Sequence, residues 1–145
     1  MKLVVQRVKR ASVTVEGKIV GKIDDGLLVL IGITHDDTKE NAEHLAKKVG
    51  DLRIFNDENG KMNLSVKDVK GKILVVSQFT LYGDARKGNR PSFSDAARPE
   101  QANELYEYFK EKCKETGIEV QSGEFGADMK VELLNDGPVT IIMEK

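Results

Sequence analysis

A chain of 145 residues with 39% hydrophobic side chains can build one domain, residues 1–145, with a proper core, and is short for two. Its 23 basic and 24 acidic side chains leave a formal charge of −1, so no bulk positive field draws it to nucleic acid and any RNA contact must be local. The single cysteine, Cys113, has no partner for an internal disulfide, and no apolar run reaches bilayer-spanning length, so a reducing, cytoplasmic setting without membrane insertion is expected.

The opening Met1 to Val8 is apolar but carries Lys2 and Arg7. From Ala11 to Val15 apolar and hydroxyl side chains alternate, Glu16-Gly17 supplies a turn and Lys18 to Val20 resumes the pattern, which predicts a β-hairpin. Leu27 to Ile33 is continuously apolar except for Gly32 and predicts a central strand covered on both faces. After Asp36-Asp37, with Glu40 at a cap-like spacing, Ala42, Leu45, Ala46 and Val49 recur at helical intervals and predict a first helix. Leu52 to Phe55 is strand-like, Asn56 to Gly60 is a turn, and Ile73 to Tyr82 is the longest branched and aromatic run, expected to be a core strand.

Gly83 to Arg98 holds Arg86, Lys87, Arg90 and Arg98 among Gly, Pro and Ser, which predicts an ordered loop with a basic patch. Pro99 then opens a second helix with Ala102, Leu105, Phe109 and Cys113 as its apolar stripe and Gly117 at the usual C-cap position. Ile118 to Gln121, Met129 to Leu134 and Val139 to Met143 read as short strands, the last two separated by a turn at Asn135-Asp136-Gly137-Pro138. Many strands with two helices and no strict βαβ alternation give an α+β fold, a barrel-like sheet with the helices outside.

Few side chains offer chemistry. His35 and His44 lie in no motif with a nucleophile and read as surface or packing residues. No His-x-x-x-His, Cys-x-x-Cys, calcium loop, G-x-G-x-x-G or Walker pattern is present, so neither a metal nor a cofactor is expected. What stands out is Ser77-Gln78-Phe79-Thr80-Leu81-Tyr82, where polar groups interrupt a buried strand end and need either backbone partners or a ligand. The second feature is Asn135-Asp136-Gly137-Pro138-Val139-Thr140, which composition alone reads as a hairpin turn.

These two motifs resemble the signatures of the D-aminoacyl-tRNA deacylase family. The resemblance spans nearly the whole chain, through Val5-Gln6-Arg7-Val8, Leu52-Arg53-Ile54-Phe55, Gly60 to Ser65, Arg90 to Ala97 and Phe125-Gly126-Ala127-Asp128-Met129. It implies a homodimer with active sites at the subunit interface and a Gly-cis-Pro element, here Gly137-Pro138, entering the partner's pocket. It further implies that Ser77, Gln78, Phe79 and Thr80 wall the catalytic pocket and that Arg7 braces the Gly-Pro element. Phe125, Ala127 and Met129 would lie near the terminal adenosine. The implied partner is the 3′ end of a tRNA carrying a D-amino acid or glycine, with L-residues excluded and main-chain contacts and substrate assistance replacing a protein nucleophile.

An aminoacyl ester is already activated, so positioning and pre-set donors can suffice, and the N–H groups of Phe79 and Thr80 are candidates for the oxyanion site. A nucleophilic Thr80 stays open as an alternative, although no base for it is visible. A non-catalytic module that binds RNA ends stays open as well. Arg86, Lys87 and Arg90 are either phosphate ligands or a solvated loop.

Overall fold

The computed structural model describes residues 1–145. Lys2–Val15 forms one strand, β1, of 14 residues, longer than the expected hairpin arm because it finds partners along both edges. On one side Lys2 to Val8 pairs antiparallel with β3 (Gly26–Gly32), and Ala11 to Val15 pairs with β2 (Lys18–Ile23). β8 (Lys130–Glu144) runs along the other side. β3 is parallel to β6 (Lys72–Ser77), which is parallel to β7 (Val120–Ser122). The sheet curls until β2 approaches β7 so closely that a Cβ on Gly21 would lie 2.5 Å from Ser122 O. The expected barrel-like sheet with two helices is therefore what the chain forms.

Alternation along the strands makes two cores. Leu3, Val5, Leu27, Val29, Ile31, Ile73 and Val75 face α1 (Lys39–Asp51) and α2 (Pro99–Glu115). Val8, Ala11, Val13, Ile23, Leu28, Leu74 and Val76 fill the inside of the curled sheet. β3 and β6 are thus covered on both faces, which is why their sequences are unbroken apolar runs. The helical stripes point as expected, with Ala42, Leu45, Ala46 and Val49 buried on α1 and Ala102, Leu105, Phe109 and Cys113 on α2. No helix is long and apolar enough to cross a membrane.

Four expectations are corrected. α1 is capped by Thr38, whose N–H donates to Asn41 Oδ1 at 2.8 Å, rather than by the Asp37/Glu40 pair. Asp37 is instead turned inward to the Met1 ammonium, 2.6 Å away, and it accepts the Thr34 N–H at 2.8 Å. Of the expected strand Leu52 to Phe55 only Phe55 is paired, and it joins Asn56, expected in the turn, as β4 (Phe55–Asn56) against β5 (Met62–Leu64). β6 stops at Ser77, and Phe79–Tyr82 is a 3₁₀ turn instead of a continuing strand. Finally, the two C-terminal strands are one strand, β8, because Asn135 to Thr140 forms a bulge and not a hairpin turn.

Candidate active site

The first signature sits at the C-terminal end of β6. Ser77 pairs with Ile31 of β3, and the Gln78 N–H donates to Ile31 O at 2.8 Å as the last rung. The chain then tightens, with the Leu81 N–H donating to Gln78 O at 3.2 Å and the Gly83 N–H to Thr80 O at 2.9 Å. Gly32 permits this turn to lie against β3, since a Cβ there would stand 3.0 Å from Leu81 Cβ and 3.1 Å from Gln78 O. As the first two residues of a 3₁₀ turn, Phe79 and Thr80 have N–H groups with no acceptor inside it.

The side chains around that turn are polar but not paired as a catalytic triad. Gln78 Nε2 donates to Thr80 Oγ1, and no imidazole or carboxylate reaches the Thr80 hydroxyl. The Phe79 ring is 58% exposed and meets the Phe93 ring edge-on at 5.3 Å. Lys2 Nζ donates to Leu81 O at 3.4 Å and lies 4.9 Å above the Tyr82 ring. Burial, with help from Asp37 and Glu144, pushes the Tyr82 hydroxyl up to about 12, so it stays a neutral donor near pH 7. Phe125 approaches the same strand from the side, its ring 5.6 Å from that of Tyr106, whose hydroxyl donates to Val75 O at 3.3 Å. Ala127 donates its N–H to Glu124 O at 3.2 Å in a local turn, and Met129 packs against the core inside the sheet.

The second signature is built on β8. Between the pairs Gln6↔Thr140 and Val8↔Asn135 the chain of β8 bulges outward, and Gly137-Pro138 at its crest is a cis peptide. Asn135 closes the base by donating its Nδ2 to Arg7 O at 2.8 Å and Val139 O at 3.0 Å. Arg7 is only 7% exposed and lies beneath the bulge, donating from Nε to Asp136 O at 3.1 Å and from Nη1 to Ile54 O at 2.7 Å. Asp136 Oδ2, 3.4 Å from Arg7 Nε, adds an ion pair that is partly shielded from water. Gly137 takes a φ of +131°, and a Cβ on it would fall 2.8 Å from Val139 Cγ2 and 3.1 Å from Arg7 Nη2.

The two signatures do not meet within one chain. Ser77 stands beside Ile31 and through it Leu3, whereas Arg7 stands beside Leu27, four positions further along β1. That offset is about 13 Å along the strand. The Asn135 to Val139 bulge, held by Arg7, therefore sits midway along the β1–β8 ladder, away from Ser77–Thr80 at the end of β6.

A family model described as D-Tyr-tRNA(Tyr) deacylase matches residues 4–144. A D-aminoacyl-tRNA deacylase of Brevibacillus brevis is 62% identical over 144 residues, covering 99% of each chain. The chain belongs to the D-Tyr-tRNA(Tyr) deacylase family. Within this deacylase family, a D-aminoacyl-tRNA deacylase of Thermosipho africanus is 59% identical, covering 99% of this chain and 97% of the other. A solved structure described as c-Myc DNA Unwinding Element Binding Protein superposes at a TM-score of 0.93 with 47% identity, covering 100% of this chain and 99% of that one. A structure described as a probable eukaryotic D-amino acid tRNA deacylase shares the fold, at a TM-score of 0.84 and 20% identity over 98% and 97% of the two chains.

Reading the sequence overlooked three parts of the candidate site region. Asn135 ties the bulge to Arg7, and an Asn beside Asp-Gly-Pro was the available signal, since its amide readily bonds nearby backbone. Phe93 packs on Phe79, a contact across 14 positions with no periodic trace. Gly32, visible as the one interruption of an apolar run, marks where the 3₁₀ turn leans on β3.

Proposed function

We propose that this protein hydrolyses the ester joining a D-amino acid to the 3′-terminal ribose of tRNA, in a homodimer whose pockets combine Ser77–Thr80 of one subunit with Gly137-Pro138 of the other. Glycine carried by tRNA is a second substrate, and L-aminoacyl-tRNA is rejected. The observation that carries this reading is the separation of the two family signatures within one chain, the bulge being offset by four strand positions from the end of β6 and lying on a different strand. A second copy placed antiparallel brings each bulge to the other's 3₁₀ turn, as isologous two-fold pairing allows.

The chemistry asked of the protein is modest. Water attacks the ester carbonyl, the acyl C–O bond breaks, and the ribose oxygen leaves with a proton. Negative charge develops on the carbonyl oxygen, and the free N–H groups of Phe79 and Thr80 are pre-set donors for it. The neighbouring ribose hydroxyl supplies a proton-transfer group already in place, which removes the need for a protein nucleophile. Carbonyls of the Gly137 turn would take the substrate ammonium, fixing the α-carbon so that an L side chain collides with the turn while a D side chain points to solvent. Exclusion by clash discriminates without contacts to the side chain, so many D-residues and glycine are accepted.

Matched D- and L-aminoacyl-tRNA are incubated with excess enzyme and single-turnover deacylation is followed. The D-substrate is expected to be cleaved and the L-substrate spared. Binding without turnover would replace the enzyme by an RNA-end binding module, and a fully active monomer in light scattering would remove the shared pocket.

A further inference from the structure

Between Ala85 and Phe93 the chain carries Arg86, Lys87 and Arg90 and no acid, in a molecule whose overall charge is −1. The loop is not slack. Asp84 and Ser92 close its base with two backbone bonds of 2.8 and 2.9 Å, and beyond it the Thr34 hydroxyl donates to Asp95 O at 2.6 Å. Arg86 grips Asp84 with Nε 2.9 Å from Oδ1 and Nη2 2.8 Å from Oδ2, holding that carboxyl down at about 2. Arg86 is thereby neutralised and acts as a stiffener. Lys87 and Arg90 are exposed on the tip and enter no ion pair, unlike the lysines of α2, where Lys110, Lys112 and Lys114 each face a glutamate.

The far end of the loop touches the proposed site. Phe93, 40% exposed, packs on Phe79, so the two free cations project from a rigid base beside the turn that holds the Phe79 and Thr80 N–H groups. Exposed aromatics next to unpaired cations form the combination that suits a nucleic-acid single strand, with bases on ring faces and phosphates on the charges. A protein without a bulk positive field must hold RNA through such local charge.

We infer that this loop binds the phosphate backbone of the single-stranded 3′ end of tRNA, with Lys87 and Arg90 as the phosphate contacts and Phe79–Phe93 as the adjoining base-stacking edge. This rests on the deacylase reading above. Arg86 contributes by fixing the loop and not by touching the RNA.

The test compares two D-aminoacyl esters, one on tRNA and one on adenosine alone, which lacks the preceding phosphates. In the Lys87→Ala/Arg90→Ala variant the ratio of kcat/KM for tRNA to that for adenosine is expected to fall at least about tenfold through KM, and the log–log salt slope for tRNA to shrink by about 1 per cation removed. Arg90→Lys restores part of the loss, and Lys18→Ala/Lys22→Ala, removing two exposed cations from β2, leaves the ratio unchanged. An unchanged ratio and salt slope in the folded loop variant, or an equal fall in the β2 variant, overturns the inference. Wild-type protein that cleaves neither ester removes the deacylase reading instead, and the loop's ligand with it.

Discussion

At the scale of single residues, the proposed site would depend on backbone placement more than on side-chain reactivity. The Thr80 hydroxyl accepts from Gln78 and lacks a base, while its N–H survives any substitution except proline. Thr80→Val is therefore expected to retain kcat within about tenfold, the usual contribution of a lost neutral contact being about 0.5–1.5 kcal/mol; an acyl-Thr80 adduct trapped by mass spectrometry would refute it. Gly137 is the opposite case. Its φ of +131° and the 2.8 Å approach of Val139 Cγ2 leave no room for a Cβ. Gly137→Ala should cost about 1–3 kcal/mol in urea unfolding and abolish most D-specific cleavage. Arg7 holds three carbonyl or carboxylate partners from beneath, with a planar fork that lysine cannot copy. Arg7→Lys should lower both stability and activity, and activity losses without any change in the unfolding midpoint would contradict that bracing role.

At the scale of elements, legibility followed periodicity. α1, α2, β3 and β6 were readable because each buries one stripe or both faces, and that burial imprints on the sequence. The bulge in β8 was not, because Asn135-Asp136-Gly137-Pro138 satisfies hairpin chemistry locally and only pairing to the long β1 keeps both flanks in one strand. The end of β6 misled for a related reason: Phe79 to Tyr82 has strand composition, and the 3₁₀ turn is imposed by its seat on Gly32. The candidate site residues were named through motif resemblance alone, since groups proposed to act through backbone leave no spacing pattern. The Gly32 seat makes its own prediction. Gly32→Ala should push the turn off β3, cutting kcat more than tenfold while overpacking costs about 1–3 kcal/mol. Wild-type kcat in a variant of lowered melting temperature would show that the turn position does not govern turnover.

At the scale of the whole molecule, the two cores share β3 and β6, so neither helix layer nor curled sheet can loosen without exposing the other. Cys113 reports on that coupling. It is fully buried between α2 and the sheet, and burial pushes its thiol up to about 12 from an ordinary value of 9.0. Tyr106, also in that core, is likewise pushed up to about 12 from 10.0 by burial. Both groups hold their protons more tightly folded than unfolded. The stability this represents is complete below about pH 9, where the unfolded thiol begins to ionise, and is lost as pH climbs through that range toward 12. The urea midpoint should therefore be flat across pH 7–8 and fall steadily above pH 9. In the native state Cys113 should resist alkylation at pH 8, since only the thiolate reacts and the folded protein keeps it protonated and enclosed. Its labelling rate should rise with urea in parallel with loss of far-ultraviolet circular dichroism, as one cooperative unit requires. Labelling that precedes the loss of helix signal, with activity intact, would mean that α2 opens on its own and that the two cores are not coupled.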